Sequence, residues 1–398
     1  MYVQHLLGIG HLRRAAVLSK ALAGRGLRVV FVSGGCPVPH LDCGDVDFVQ
    51  LPPIKSADES FALLGEDGRP IDEPFKSARR DQLLDLYERV RPRALMIELF
   101  PFGRRQVRFE LLPLLEKARD DRPKPKVFCS LRDILTRQKS PEKVQWMLDC
   151  FNRFFDGAIV HGDPRLIRLE ESFPVARDLQ AKLHYSGFVI EIPAVDPQIT
   201  PTGEVPSGEV PSGEVPSSEV TSSEVIVSAG GGAVAGPLLA ASLEARALSP
   251  LATAPWRFLV GHNYPEVDFL QLMAKAPEGV IVERARPDFH QLLTAGQLSI
   301  SQGGYNTVME LMALGVPSVV VPFAAGVESE QSLRCERLAE RGLLTVVAEA
   351  SLTPRTLADG IEQCLARQRD RQEHALSLNW DGATQTAALV AREIAGEG

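Results

Sequence analysis

Apolar residues along this chain switch repeatedly between two spacings. Residues 2–7, YVQHLL, read as a strand running into Gly8, Ile9, Gly10 and His11. Leu12, Ala15, Ala16, Leu18 and Leu22 then recur at helical intervals, and Gly24 and Gly26 stop that helix. Residues 27–32 give a second strand. Further apolar runs at 94–97, 126–129 and 157–160 alternate with helical patterns such as 81–90, which predicts a parallel sheet with helical crossovers.

Residues 201–225 break the pattern with PTGEV, PSGEV, PSGEV, PSSEV and TSSEV in tandem. So polar a repeat has too little apolar surface to offset its ordering entropy, and reads as a flexible linker. Strand-like residues 224–228, a glycine turn at Gly230, Gly231 and Gly232, and a helix from about Pro237 follow. Strands are then expected at 257–261, 280–283, 298–301, 318–321 and 344–347. The expected organisation is an α/β domain over 1–195, a linker over 196–224 and a second α/β domain over 225–398. A ligand is expected in the cleft between the two. The last helix, 382–395, is expected to start after Asn379, Trp380 and Asp381 and to cross back onto the first domain. The first strand lies so near the start that a truncated N-terminus is expected.

Length and composition agree with two cores, at 398 residues and 44% hydrophobic. A net charge of -8 argues against a general nucleic-acid binder, which needs clustered cations. Cys36, Cys43, Cys129, Cys150, Cys335 and Cys364 show no CxxC or His-paired spacing, so neither a zinc site nor a disulfide scaffold is expected. No stretch approaches the ~18 apolar residues of a membrane span. A cytoplasmic, soluble protein is expected, with peripheral membrane contact compatible.

The densest chemistry follows the strand LSIS, where Gln302, Gly303, Gly304, Tyr305, Asn306 and Thr307 lead into the helix VMELMAL. Glycines there let a phosphate approach bare backbone, and a helix N-terminus favours an anion. Glu310, one turn on, suits vicinal ribose hydroxyls. The competing reading is a capping box, since Thr307 and Glu310 stand in the T-x-x-E relation. After Gly315, Val316 and Pro317 comes the strand SVVVP, then Glu330 and Gln331, a pair suited to sugar hydroxyls but unremarkable as a surface helix start.

The stretch SQGGYNTVMELMALGVP resembles the donor signature of GT-B glycosyltransferases, both the UDP-glycosyltransferases and the MurG-type (family 28) enzymes. That resemblance implies two Rossmann-like domains and sugar transfer from a UDP-type donor, with N-acetylglucosamine or another hexose as the sugar. The acceptor would be a small molecule, a glycan or a lipid-linked group. It implies no metal and no cofactor beyond the nucleotide sugar as co-substrate. By the resemblance Gly304, Asn306 and Thr307 serve the diphosphate, Glu310 the ribose, and Glu330 with Gln331 the sugar. Gln302 departs from the His that UDP-glycosyltransferases keep there. Gly230, Gly231 and Gly232 match a second glycine loop of MurG-type enzymes, or simply make a strand-to-helix turn. Arg284 and Phe289 fall where the family surrounds the base.

In the first domain Gly8 and Gly10 resemble the family's first glycine loop, which ends in a His at the cleft. A dinucleotide fingerprint competes, but Arg13 fills the third glycine position and no acidic residue ends the second strand. His11 is the candidate base for an acceptor hydroxyl, against a packing or capping role. Asp133 and Asp163, which also follow strands, either orient His11, act as base, or cap helices. Arg104, Arg105 and Arg108 suit an acidic or phosphorylated acceptor, or form a solvated helical face. DVD at Asp45, Val46 and Asp47 resembles a metal motif but precedes a strand in the wrong domain. The rivals are a nucleotide-sugar epimerase or hydrolase of the same architecture, and a non-catalytic nucleotide-sugar-binding protein.

Overall fold

A computed structural model of the chain describes residues 1–6, 9–39, 41–56, 62–136, 138, 140–190, 223–229, 235–286, 288–323, 330–370 (of 368–370 the backbone alone) and 378–396. Gly8, Gly230, Gly231, Gly232 and nearly all of the expected linker lie outside the described residues. The chain divides into two compact units, Met1–Glu191 with Leu378–Gly398, and Ile192–Ser377.

The first unit is built on strands β1 (Tyr2–Val3), β2 (Val30–Ser33), β3 (Asp47–Gln50), the hairpin β4 (Lys55–Ser56) and β5 (Leu63–Leu64), then β6 (Ala94–Glu98), β7 (Lys126–Arg132), β8 (Gly157–His161) and β9 (Leu183–Tyr185). Outside the hairpin they form one parallel sheet in the order β3-β2-β1-β6-β7-β8-β9. β1 is shorter than its apolar run suggests. Its continuation leaves the ladder because Gln4 O accepts from Arg104 Nε at 2.7 Å, while the Gln4 amide donates to His5 O and Ile54 O. The helix Glu73–Val90 begins before the apolar pattern does, because Asp72 caps it by accepting from Phe75 N at 2.9 Å.

Arg79, fully buried beneath this sheet, reaches Glu110 through Nε at 2.6 Å, Gly34 O at 3.0 Å and Gln4 Oε1 at 2.7 Å. Such a cation is tolerated in a core because each polar group has a partner. The C-terminal helix Gly382–Ala395 packs on the helix Gly10–Gly24, so Leu378–Gly398 groups with this unit rather than with the rest of residues 225–398. Its approach is fixed by Phe188 N donating to Asn379 O at 2.8 Å and by Phe188 against Trp380, ring centroids 5.3 Å apart.

The second unit contains β10 (Val225–Ser228), β11 (Trp256–Val260), β12 (Val280–Arg284), β13 (Leu298–Gln302), β14 (Ser318–Val321) and β15 (Thr345–Val346), parallel and in the order β12-β11-β10-β13-β14-β15. Its central strands are buried throughout, as expected of a parallel sheet covered on both faces. Counted within its own sheet, this is strand order 3-2-1-4-5-6, and the first unit repeats it with one strand added. Both are Rossmann-like. In sheets of this order the direction of winding reverses beside the first strand, and ligands bind at the carboxyl ends there, which are those of β1 and β6 in one unit and of β10 and β13 in the other. Among the described residues no helix is long and apolar enough to cross a membrane.

Candidate functional site

In the first unit the helix after β1 starts at Gly10, with Ile9 at its N-cap and no side chain capping it. Its first turn carries His11, Arg13 and Arg14 and no acid. The balancing charge comes from the switch point: Glu98, the last residue of β6 and 2% exposed, accepts from His11 Nδ1 at 2.8 Å and pairs with Arg14 through the same Oε1. Arg14 Nη2 also lies 3.0 Å from His11 Nδ1. Nδ1 thus lies between a donor and an acceptor, and the shorter contact, to the carboxylate, assigns it the hydrogen, donated to Glu98.

Burial, helped by the Arg14 charge, pushes His11 down to about 3 against the opposing hydrogen bond to Glu98. For Glu98 burial opposes ionisation, but Arg14 and the His11 bond outweigh it and hold the carboxyl well below its usual range. At neutral pH the pair is therefore a neutral imidazole on a carboxylate, and no hydrogen bond to Nε2 is seen among the described residues. Glu98 was not singled out from the sequence. Its signal was there: a carboxylate closing the otherwise apolar run ALMIE at a parallel strand's carboxyl end.

Asp133 is buried just past β7 and accepts from Ile134 N at 3.0 Å. Asp163 accepts from Arg165 and, at 3.1 Å, from Asn379 N, so it fixes the returning C-terminal segment. The basic stretch after β6 is not a uniformly solvated face. Arg104 sits in the left-handed region, at φ 59°, and turns inward, where burial and the facing Arg132 lower its pKa to about 10. Apart from the bond to Gln4 O, no hydrogen bond from it is seen among the described residues.

In the second unit β13 ends at Gln302 and the helix Tyr305–Leu314 takes Gly304 as N-cap, with no side-chain cap bond. The capping-box alternative therefore fails: Thr307 lies in the third helical position and Glu310 in the second turn, so neither satisfies the helix start. The two glycines differ. A Cβ on Gly303 would stand 2.8 Å from Pro322 Cα, so packing against the end of β14 requires glycine, whereas a Cβ on Gly304 would meet nothing within 4 Å. Gln302, Gly304, Asn306, Thr307 and Glu310 are all half-buried around this helix start. His290 Nε2 stands 3.4 Å from Glu310 Oε1. Gly315 closes the helix in the left-handed region, φ 67°, accounting for the glycine of GVP.

Glu330 is buried rather than a surface helix start, and Gln331 accepts from Phe323 N at 3.1 Å, tying the end of β14 to the following helix. Arg334, one turn on, lies over the Tyr305 ring at 4.7 Å, which links that helix to the glycine turn. Arg284 is committed to its own loop: Nη1 donates to Gly261 O and Tyr264 O, both at 3.0 Å, and the guanidinium covers Phe269 at 4.1 Å. Phe289 is half-buried at the start of the helix Phe289–Ala295. Among the described residues no group of three or more His, Cys, Asp or Glu is placed to hold a metal ion.

Residues 241–391 match the model of the glycosyltransferase family 28 C-terminal domain. A UDP-N-acetylglucosamine--N-acetylmuramyl-(pentapeptide) pyrophosphoryl-undecaprenol N-acetylglucosamine transferase from an Exiguobacterium species is 27% identical over 147 residues, 37% of this chain. The match spans 41% of that relative's length. Among solved structures, the Acinetobacter baumannii MurG superposes at TM-score 0.57 and 16% identity, covering 98% of this chain and 99% of its own. Os79 from O. sativa in complex with UDP superposes at 0.59 and 14%, covering 98% and 100%.

Proposed function

We propose that this member of the MurG-like GT-B glycosyltransferases, whose residues 241–391 match the family 28 C-terminal domain, transfers a sugar from a UDP-type nucleotide donor to an acceptor hydroxyl. The observation that carries the proposal is the helix Tyr305–Leu314, whose N-terminus no side chain caps and whose N-cap Gly304 has open space where a Cβ would be. The N–H groups of its first turn and its dipole favour the donor diphosphate, and they continue to do so as charge builds on the leaving group. Asn306 and Thr307 flank the phosphates, Glu310 accepts from the ribose hydroxyls, and Glu330 with Gln331 faces the sugar.

The acceptor belongs to the first unit. Its hydroxyl oxygen attacks the anomeric carbon, the bond to the diphosphate breaks, and His11 Nε2 takes the hydroxyl proton. A His lowered to about 3 is a weak base. It suffices because an oxygen bonding to the anomeric carbon becomes strongly acidic, and because Glu98 stabilises the imidazolium that forms. A relative named above acts, by its name, on a pyrophosphoryl-linked acceptor.

Calorimetry with a panel of nucleoside diphosphate sugars, on the full chain and on Glu310→Ala, tests the donor assignment. UDP-sugar binding that is unchanged in the variant rejects it. Incubating the bound sugar without acceptor separates the rivals, because rapid epimerisation or release of free sugar favours an epimerase or hydrolase over a transferase.

A further inference from the structure

The carboxyl ends of four adjacent strands in the first unit each contribute one buried polar side chain to a single line. Glu98 ends β6, Ser130 pairs with it across β7, His161 ends β8, and Ser186 follows β9. Their exposures are 2%, 0%, 0% and 5%. Ser130 Oγ donates to Glu98 Oε2, His161 Nε2 lies 2.9 Å from Ser130 Oγ, and Ser186 Oγ lies 3.0 Å from His161 Nδ1.

The direction of the protons from His161 to Glu98 follows from counting. Ser130 has one hydrogen and gives it to the carboxylate, so its bond with His161 must be donated by Nε2–H. Burial and the nearby Arg14 charge lower His161 to about 3, so the ring is neutral and Nδ1 carries a lone pair, 3.0 Å from a Ser186 hydroxyl that also has Gly187 O within 3.2 Å. The His161 and Ser130 donors therefore point toward Glu98 Oε2, while Oε1 is left to His11 and Arg14. We propose that Ser130 and His161 are positioning residues for His11. They hold the Glu98 carboxylate in one orientation, which keeps hydrogen on His11 Nδ1 and the lone pair on Nε2.

Arg14 alone would neutralise Glu98, and Arg104 adds to the positive charge facing it. Arg14 and His11 hold Oε1 alone. Ser130 holds the second oxygen from the neighbouring strand, so that the carboxylate plane is fixed at both ends. A network that merely satisfied buried polar groups would have no reason to run in one direction and finish beside the half-buried imidazole.

The inference rests on His11 being the base, and its test is separable from that assignment. Nitrogen-15 NMR of the histidines in the full chain, with His11 assigned by the signal missing in His11→Ala, is expected to show one neutral Nδ1–H tautomer from pH 5 to 8. In Ser130→Ala a mixture of tautomers is expected, with kcat for transfer down about 10- to 100-fold, the donor KM unchanged, and Ser130→Thr restoring both. An unchanged single tautomer in both Ser130→Ala and His161→Gln overturns the positioning role. That result stands whether or not His11→Ala still transfers sugar, and sugar transfer by His11→Ala at the wild-type rate would overturn the base assignment alone.

Discussion

Each unit has a helix N-terminus beside the switch point of its sheet, after the first strand in one and after the fourth in the other, and the two starts differ in their surroundings. Neither start has a side-chain cap, but in the first the side chains that follow it, His11 and Arg14, are locked on Glu98. In the second, the start at Gly304 is left uncapped, with Thr307 and Glu310 half-buried around it. Side chains tied to a buried carboxylate are set up to hold a proton in place. A helix start left open is set up to receive an anion.

The largest effect expected from breaking this contrast is at His11. His11→Ala should lower kcat for sugar transfer about 10²- to 10⁴-fold, the usual contribution of a general base, while leaving UDP-sugar affinity as it was. A steady-state assay beside calorimetry checks both halves. If the two turns shared one role, both quantities would fall together.

The charged turn should also make the first unit acid-sensitive. His11 and His161 lie at about 3 when folded, against 6.5 in the unfolded chain. Between those values the unfolded state binds the extra protons, so stability is full above pH 6.5 and is lost as pH falls toward 3. Each group contributes a slope of up to about 1.4 kcal/mol per pH unit. Urea titrations from pH 8 to pH 4 should show the decline, and His161→Gln should make it shallower.

The open turn answers to a smaller perturbation. Glu310→Ala should weaken UDP-sugar binding about 10- to 100-fold, as expected for losing a charge-assisted hydrogen bond, without changing the unfolding midpoint. The nearby His290 makes this sharper than a deletion elsewhere on the helix, because Glu310 has no other recorded partner in the fold among the described residues.

How far the sequence reveals these sites depends on what its spacings encode. Periodicity located β14 and the last helix to the residue, and the alternation of strand and helix implied both sheets. It placed β1 too long, because the bond from Arg104, a hundred residues away, that draws Gln4 out of the ladder has no local signature. The same contact turned an apparently solvated Arg104 inward. Glu98 was missed since attention to acids after strands fell on Asp133 and Asp163, while the carboxylate that reaches His11 is the strand's own last residue. The T-x-x-E spacing of Thr307 and Glu310 was real but shifted: β13 delivers the chain to Gly304, so the helix starts too early for that pair to cap it.

The finest division lies within one dipeptide. Gly303 is glycine because Pro322 Cα leaves no room, and Gly303→Ala should cost about 1–3 kcal/mol of stability as the end of β14 is pushed away. Gly304 has no such neighbour and an ordinary φ of −61°, so nothing in the fold demands glycine there. Gly304→Ala should therefore leave stability within about 0.5 kcal/mol of the parent, the range of a surface substitution. It should still weaken binding of UDP or a UDP-sugar, since the added methyl would sit where the diphosphate meets bare backbone. Chemical denaturation and calorimetry on the two single variants decide the matter. Equal losses of stability would make the pair a simple turn, and undiminished UDP affinity in Gly304→Ala would remove the phosphate from this helix start.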